Sequence, residues 1–185
     1  LFDYVNGEKD IKKKIIRFIG DPSERIIEDN LRILRAIRFF SKSRKWTMEQ
    51  DTILAIKLHR RLLLNVSAER IKEELEKMLL LPVPSMAFRT MLHFGVLDVI
   101  LPEIAKLDTI PQNPKWHKEG NAFEHTMLAI DTARKLSDDP IIMWATLLHD
   151  IGKGDPDIDE IGKLIFHDHD EKGMDIANKI LRELR

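Results

Sequence analysis

The sequence predicts an all-α fold, because apolar residues recur at helical spacing along most of its 185 residues. No stretch alternates between apolar and polar residues for long enough to indicate a sheet. Helix-start signals stand before the periodic stretches at 21–24 and 67–70. A proline-bearing linker at 110–115 indicates a boundary between two helical domains, 1–110 and 111–185.

The composition excludes several classes of protein. Hydrophobic residues make up 43% and charged residues 33%, a balance typical of soluble globular domains. With Cys 0, disulfides and thiolate metal sites are excluded, which fits a reducing cytoplasmic location. No apolar run approaches the roughly 20 residues of a membrane span, so we expect no membrane partner.

Charge is segregated along the chain. Residues 1–110 contain 20 Lys and Arg against 16 Asp and Glu, whereas residues 111–185 contain 10 against 15. Solvated helix faces explain most of these charges one by one, but not their segregation. We expect a polyanion to bind the first part and a cation the second.

The first strong helix signal is at 21–24. Asp21 fits the N-cap, Pro22 the first helical position and Glu24 a capping box, and the helix is expected to continue to Phe40. On that helix, three- and four-residue spacing places four charged residues on one face: Glu28, Asp29, Arg32 and Arg35.

Further helices are expected on both sides of the linker. Thr47 and Ser67 are the expected N-caps of the next two, Gly95 ends a third, and Pro102 ends a short helical turn. Beyond the linker, an amphipathic helix contains His125, and a last helix is expected to begin at Glu171.

The segment 141–148 is apolar except for Thr146, which predicts a helix buried on all sides. It ends in His149 and Asp150, just before Gly152 can terminate the helix. A buried imidazole and carboxylate both require partners, and a bound cation would satisfy both.

More metal-competent residues stand nearby in the sequence. His125 lies far enough upstream for its helix to turn back toward His149, and His167 and His169 lie downstream among carboxylates. Such ligands suit Zn, Mn, Fe or Mg. The alternative is a His149-Asp150 ion pair at a helix end, with the other histidines on the surface.

Two interpretations also apply to Asp29 and Arg32. They could form an ordinary ion pair at i,i+3, worth about 0.3–0.5 kcal/mol on an exposed face. Alternatively, the paired donors of Arg and the acceptor oxygens of Asp could bind the edge of a nucleobase.

The pattern His125…His149-Asp150-Ile-Gly-Lys153…His169 resembles the HD superfamily of metal-dependent phosphohydrolases. The resemblance implies a divalent cation held by His125, His149 and Asp150, with His169 as a further ligand. For a hydrolase at this site, Lys153 is the candidate catalytic residue, which we expect to hold a phosphate oxygen.

A second resemblance covers nearly the whole chain. The runs 20–39 and 65–75 resemble the neck and body of class II tRNA nucleotidyltransferases (CCA-adding enzymes) and bacterial poly(A) polymerases. The run 3–7 resembles the end of the catalytic head of these enzymes, and 97–103 and 116–120 resemble the path into an HD domain. The resemblance implies that Asp29 and Arg32 pair with incoming CTP or ATP, and that Glu28 and Arg35 orient them. The implied partner is the 3′ end of tRNA or another RNA.

These resemblances identify 1–110 as neck and body and 111–185 as an HD domain truncated at its C-terminus. The family's carboxylates for nucleotidyl transfer lie in a head domain upstream, so we expect this stretch alone to be inactive in that reaction. A metal-dependent phosphohydrolase and a non-catalytic RNA-binding module are the alternatives. The sequence leaves open whether CCA, CC, A or poly(A) is added, and the oligomeric state.

Overall fold

The computed structural model of this chain describes residues 2–112, 120–154, 157–158, 164–166 and 168–185. These residues contain eleven α-helices, two short 3-10 helices and four strands of two residues each. The predicted all-α fold is therefore confirmed. The strands form a parallel pair, β1–β2, and an antiparallel pair, β3–β4.

The N-terminal part packs short helices around the first pair of strands. In register, Ile15 pairs with Thr47 and Ile16 with Met48. The elements in order are α1 (Gly7–Lys13), β1 (Ile15–Ile16), α2 (Pro22–Glu28), α3 (Arg32–Phe40) and β2 (Thr47–Met48).

The helix start at Asp21 is as predicted, because the Asp21 side chain accepts a hydrogen bond from the Glu24 amide at 3.0 Å. The expectation of one continuous helix to Phe40 is wrong, since the chain is extended at Asp29 (φ −147°, ψ 101°) and restarts at Arg32. The Asn30 side chain donates to the Ile26 carbonyl at 2.8 Å. This local bond competes with the helical ladder and accompanies the break.

The middle of the chain is a run of helices: α4 (Gln50–His59), a 3-10 helix (Arg60–Asn65), α5 (Ala68–Leu79), α6 (Ser85–His93), α7 (Leu97–Ile100), α8 (Pro102–Lys106) and a 3-10 helix (Leu107–Thr109). Ser67 is at the N-cap of α5, as expected. Thr47 is not an N-cap, because it belongs to β2 and Glu49 precedes α4. Gly95 has φ +69° just after α6, as a helix terminator requires.

The last part contains α9 (Ala122–Leu136), α10 (Pro140–Leu148), β3 (Asp157–Ile158), β4 (Leu164–Ile165) and α11 (His169–Glu183). Helix α11 begins two residues before the expected Glu171. Residues 113–115 of the expected linker, with Pro114, lie outside the described residues, as do the run 116–119 and His167.

Helix α10 is buried on one side only, so the prediction of complete burial is wrong. Met143, Trp144, Leu147 and Leu148 are buried, whereas Ile141 is 76% exposed and Ile142 46% exposed. The apolar composition of α10 could not predict this exposure. The exposed side of α10 forms one wall of an open apolar cleft, and α11 contributes to the opposite wall.

Buried apolar residues form one continuous core that includes both sides of the expected boundary, with Met91 of α6 and Phe123 of α9 both fully buried. Among the described helices, none is long and apolar enough to cross a membrane.

Candidate functional site

Three metal-competent side chains converge where α10 ends against the start of α9. His149 Nε2 lies 3.3 Å from Asp150 Oδ2, and His125 Nε2 lies 3.7 Å from the same oxygen. One ligand atom from each residue falls within 4.8 Å of the other two. Ligand atoms about 2.1 Å from a common ion lie roughly 3–3.5 Å apart, so a single cation would have to draw these atoms slightly closer together.

The hydrogen bonds of His149 orient its ring for metal binding. Its Nδ1 lies 2.7 Å from the Thr146 carbonyl oxygen, which can only accept, so Nδ1 carries a proton and donates it. In the neutral ring, Nε2 then directs a lone pair at the Asp150 carboxylate. Two acceptors at 3.3 Å require either a proton or a cation between them. The donor set therefore fits a divalent cation.

A protein cation also contacts this carboxylate. Lys153 Nζ donates to Asp150 Oδ2 at 2.6 Å, and the lysine side chain is only 11% exposed. Its ammonium group also lies 5.6 Å from the centroid of the Phe166 ring. Lys153 therefore places a positive charge beside the three converging side chains.

The ionisation of His149 and Asp150 is coupled. The hydrogen bond to Asp150 raises the pKa of His149 above its ordinary value, against the effect of burial. Burial alone would raise the pKa of Asp150, but hydrogen bonds from His149 and Lys153 outweigh it and hold that pKa well below its ordinary value. Asp150 is thus a carboxylate throughout the neutral range.

The fourth expected ligand, His169, lies outside the group of three. It begins α11, and its Nδ1 bonds the Phe166 carbonyl at 3.0 Å. Helix α11 approaches the turn after α10 very closely: a Cβ built on Gly152 would lie 1.9 Å from the His169 carbonyl oxygen. Gly152 is needed for this approach as well as for ending the helix.

The helix that carries His125 is held at its start by residues of the first half of the chain. Arg89 of α6 donates to both carboxylate oxygens of Glu124, at 3.0 and 2.6 Å. Asn121 caps α9 by accepting from the Glu124 amide at 2.8 Å. In the next turns of α9, Asp131 accepts from the amide and the hydroxyl of Ser85. These bonds fix α9 against α6.

The second group of predicted site residues lies around α2 and α3. Arg25, Arg32 and Arg35 line one cavity of about 370 Å³, together with Phe18 and Phe39. Arg35 is exposed, and its side chain makes no hydrogen bond or ion pair with the residues that the structure describes. The cavity therefore offers unpaired guanidinium donors beside aromatic rings.

Glu28 supports this cavity. It accepts from Arg32 Nη1 at 2.7 Å and forms a 2.7 Å ion pair with Arg25. The hydrogen bond from Arg32 lowers the pKa of the Glu28 carboxyl. This contact positions Arg32 and leaves its other N–H groups available.

Asp29 is not on the helical face that the spacing predicted, because the chain is extended there. Its Oδ1 accepts from Arg70 Nη2 of α5 at 3.0 Å and from the Leu31 amide at 3.3 Å. Asp29 is not among the residues that line the arginine cavity. The structure thus groups Arg32 with Glu28 and Arg35, and pairs Asp29 with Arg70.

The sequence did not reveal three of these contributors. Arg25 lines the cavity, Arg70 holds Asp29, and Arg89 holds the helix of His125. Arg25 and Arg70 occur within the runs that carried the family resemblance, so that signal was available. Nothing local distinguishes Arg89, since its partner is 35 residues away.

Two protein families match parts of this chain. Residues 46–107 match the family described as "Probable RNA and SrmB-binding site of polymerase A". Residues 122–185 match the HD domain family, whose segment here contains the three converging side chains.

Curated relatives align with most or all of the chain. A multifunctional CCA protein of Shewanella denitrificans is 34% identical over 100% of this chain and 45% of its own length. Proteins of the same name from Vibrio vulnificus and Acidovorax sp. are 34% and 32% identical over 83% and 91% of this chain. The chain spans only 38 to 45% of the length of these relatives.

One solved structure, a complex of a CCA-adding enzyme with ATP, covers 99% of this chain and 40% of its own. Its TM-score is 0.58 at 20% identity, which shows a common fold. The chain is therefore similar over its whole length to part of the multifunctional CCA proteins, with a segment that matches an RNA-binding family followed by one that matches the HD domain family.

Proposed function

We propose that this chain is the nucleotide-templating and RNA-binding part of a tRNA nucleotidyltransferase, joined to an HD-type metal centre. The observation that carries the proposal is the alignment, at 34% identity, of the whole chain with a multifunctional CCA protein. The substrates are CTP and ATP together with the 3′ end of tRNA. The division at residue 110 into neck and body and HD domain is part of the proposal.

The arginine cavity is the proposed site of the incoming nucleotide. Arg32 is held by Glu28 at 2.7 Å and retains donors for the edge of a base. Arg35 and Arg25 add positive charge for the triphosphate, and Phe39 is 40% exposed at the same cavity. Asp29 contributes an acceptor from the extended segment between α2 and α3, oriented by Arg70.

RNA binding is proposed for the basic first half. Within residues 9–61, Lys and Arg number 15 against 7 Asp and Glu. This surplus favours the phosphate backbone of RNA over other partners.

The HD half has a second candidate function, hydrolysis of phosphate esters. The convergence of His125, His149 and Asp150 within 4.8 Å favours it. A divalent cation held by these residues supplies Lewis-acid activation of a phosphoester and of water. Lys153, which donates to Asp150 at 2.6 Å, is the residue that we propose to hold a phosphate oxygen, and His169 remains a proposed further ligand.

The test uses the full-length gene product with tRNA that lacks its 3′-terminal CCA. We expect incorporation of labelled CTP and ATP, and no incorporation by residues 1–185 alone. A full-length protein that binds tRNA without adding nucleotides would support the RNA-binding module instead. Phosphate release from nucleoside phosphates, abolished by Asp150→Asn, would support the hydrolase.

A further inference from the structure

A second basic cavity lies between α4, α6 and the loop that follows α3. Its volume is about 530 Å³, which is within the range of sites for small organic ligands. It shares no lining residue with the arginine cavity or with the three converging side chains. It is therefore a separate feature of the surface.

The charge that this cavity leaves unpaired is that of Arg44, because Glu124 binds the Arg89 guanidinium at two points. Arg44, Arg89 and His93 line it, and none of its lining residues is acidic. Arg44 and His93 are exposed, and neither forms an ion pair with any described residue. Lys57 Nζ lies 5.5 Å from the ring centroid of Phe94, which lines the cavity, and so adds a second cation nearby. Such a cluster favours an anionic ligand.

The rest of the wall is apolar and partly aromatic, with Phe40, Met86 and Phe94. The hydroxyl groups of the cavity already have acceptors: Ser85 donates to Asp131 at 2.7 Å and Thr90 to the Met86 carbonyl at 2.7 Å. An apolar wall beside an unpaired guanidinium and an exposed imidazole suits a ligand with a flat ring and a phosphate. Proteins bind single-stranded nucleic acid with this combination.

We propose that this cavity binds one nucleotide of an RNA chain, with the base against Phe40 and Met86 and the phosphate at Arg44 and His93. The assignment rests on the proposed function, since it names the part of the RNA-binding region that grips the substrate. Most of the cavity falls within residues 46–107, the segment that matches an RNA-binding family. A free nucleotide has the same chemistry, so the experiment must separate the two sources.

The experiment measures binding of the full-length protein to a labelled single-stranded oligoribonucleotide, to tRNA and to CTP, at several salt concentrations. Arg44→Glu and Phe40→Ala are the test variants. Lys135→Glu, an exposed position of α9, is the control for Arg44→Glu because it makes the same change of charge. Thermal unfolding of each variant tests whether the fold is intact.

We expect both test variants to bind RNA roughly tenfold more weakly, as the loss of a stacked base or a phosphate contact predicts. For Arg44→Glu, the slope of log affinity against log salt should fall by about 0.7 per lost contact. Affinity for CTP should stay unchanged. The Lys135→Glu control should retain wild-type binding to RNA.

Two results overturn the inference. One is wild-type RNA affinity and salt slope in a folded Arg44→Glu protein that still adds nucleotides to tRNA. The other is an equal loss of affinity for CTP and for RNA, which assigns the cavity to a free nucleotide. The full-length protein could also fail to add nucleotides while its variants lose RNA binding. That result would support RNA binding at the cavity and refute the proposed nucleotidyltransferase function.

Discussion

Arg89 and Glu124 form a two-point ion pair between α6 and α9, with Nε–Oε1 at 3.0 Å and Nη2–Oε2 at 2.6 Å. Arg89 belongs to the segment 46–107 that matches an RNA-binding family, and Glu124 directly precedes His125, so the pair connects that segment to the converging metal-competent side chains. The hydrogen bonds to Glu124 raise the pKa of Arg89. The orientation of His125 therefore depends on a residue from the first half of the chain.

We expect Arg89→Ala to lower the free energy of unfolding by about 1–2 kcal/mol. The pair is bidentate, but its side chains are 37% and 35% exposed, so solvent screens part of the interaction. Urea unfolding measures the change. Arg89→Lys keeps the positive charge but cannot form the two-point contact, so its free energy of unfolding should lie between those of the wild type and Arg89→Ala.

A double-mutant cycle with Glu124→Ala isolates the interaction. If the two single changes add without coupling, the ion pair does not connect α6 to α9 energetically. The affinity of Arg89→Ala for divalent metal should also fall, because the variant no longer holds Glu124, the residue next to His125. A contact that only stabilised the fold would leave the metal affinity unchanged.

Gly152→Ala should destabilise the protein by about 3 kcal/mol or more, because the new methyl group would lie 1.9 Å from the His169 carbonyl oxygen. Neither backbone can move without separating α11 from the turn after α10. Gly154→Ala is the control, since a Cβ there meets nothing described within 4 Å. Thermal unfolding compares the two, and equal melting temperatures would show that α11 does not pack as described.

Local sequence signals predicted the helical elements well. Asp21 caps α2 and Gly95 follows α6 because these roles depend on a few neighbouring residues. The convergence of His125, His149 and Asp150 was also foreseen, since two antiparallel helices of the expected lengths bring them together.

Long-range contacts account for what the sequence did not reveal. At the helix break, Asp29 forms an ion pair with Arg70, which lies 41 residues away in the sequence. Helical periodicity in 25–40 is continuous and gave no sign of it. The exposure of Ile141 likewise depends on where α11 packs.

In the full-length protein, we expect Arg32→Ala and Asp29→Ala to reduce incorporation and to weaken the preference for CTP and ATP over GTP and UTP. Each lost contact to a base edge should cost about 1–3 kcal/mol of discrimination. Arg70→Ala should resemble Asp29→Ala, because Arg70 holds that carboxylate at 3.0 Å. Single-turnover incorporation of each nucleotide measures the effect, with exposed Asp51→Ala as control, and unchanged selectivity would make the residues structural.

Stability should depend on pH through His149. Its pKa is raised above 6.5 in the folded protein, chiefly by the hydrogen bond to Asp150. The folded state therefore favours the charged ring, and its contribution is fully present below pH 6.5 and lost as pH rises through the higher folded-state pKa. In chelator-treated protein, the free energy of unfolding of the wild type relative to His149→Gln should fall above pH 6.5. A constant difference from acid to alkaline pH would contradict this coupling.

Binding of a divalent cation should have the opposite pH dependence, because imidazole binds a metal only in its neutral form. Metal affinity should therefore rise as the pH increases through the pKa of His149, and Asp150, whose pKa is held low, is already charged. Titration with Mn²⁺ at several pH values measures this, and affinity that rises toward acid pH would exclude His149 as a ligand.

The most direct test of the metal centre is the bound-metal content of chelator-stripped protein after equilibration with Mn²⁺, Zn²⁺, Fe²⁺ or Mg²⁺ and removal of free ion. We expect about one ion per wild-type chain and loss of that ion in His125→Gln, His149→Gln and Asp150→Asn. His93→Gln, outside the group, should retain it. Equal metal content in the wild type and in folded Asp150→Asn would contradict a metal centre built from these residues.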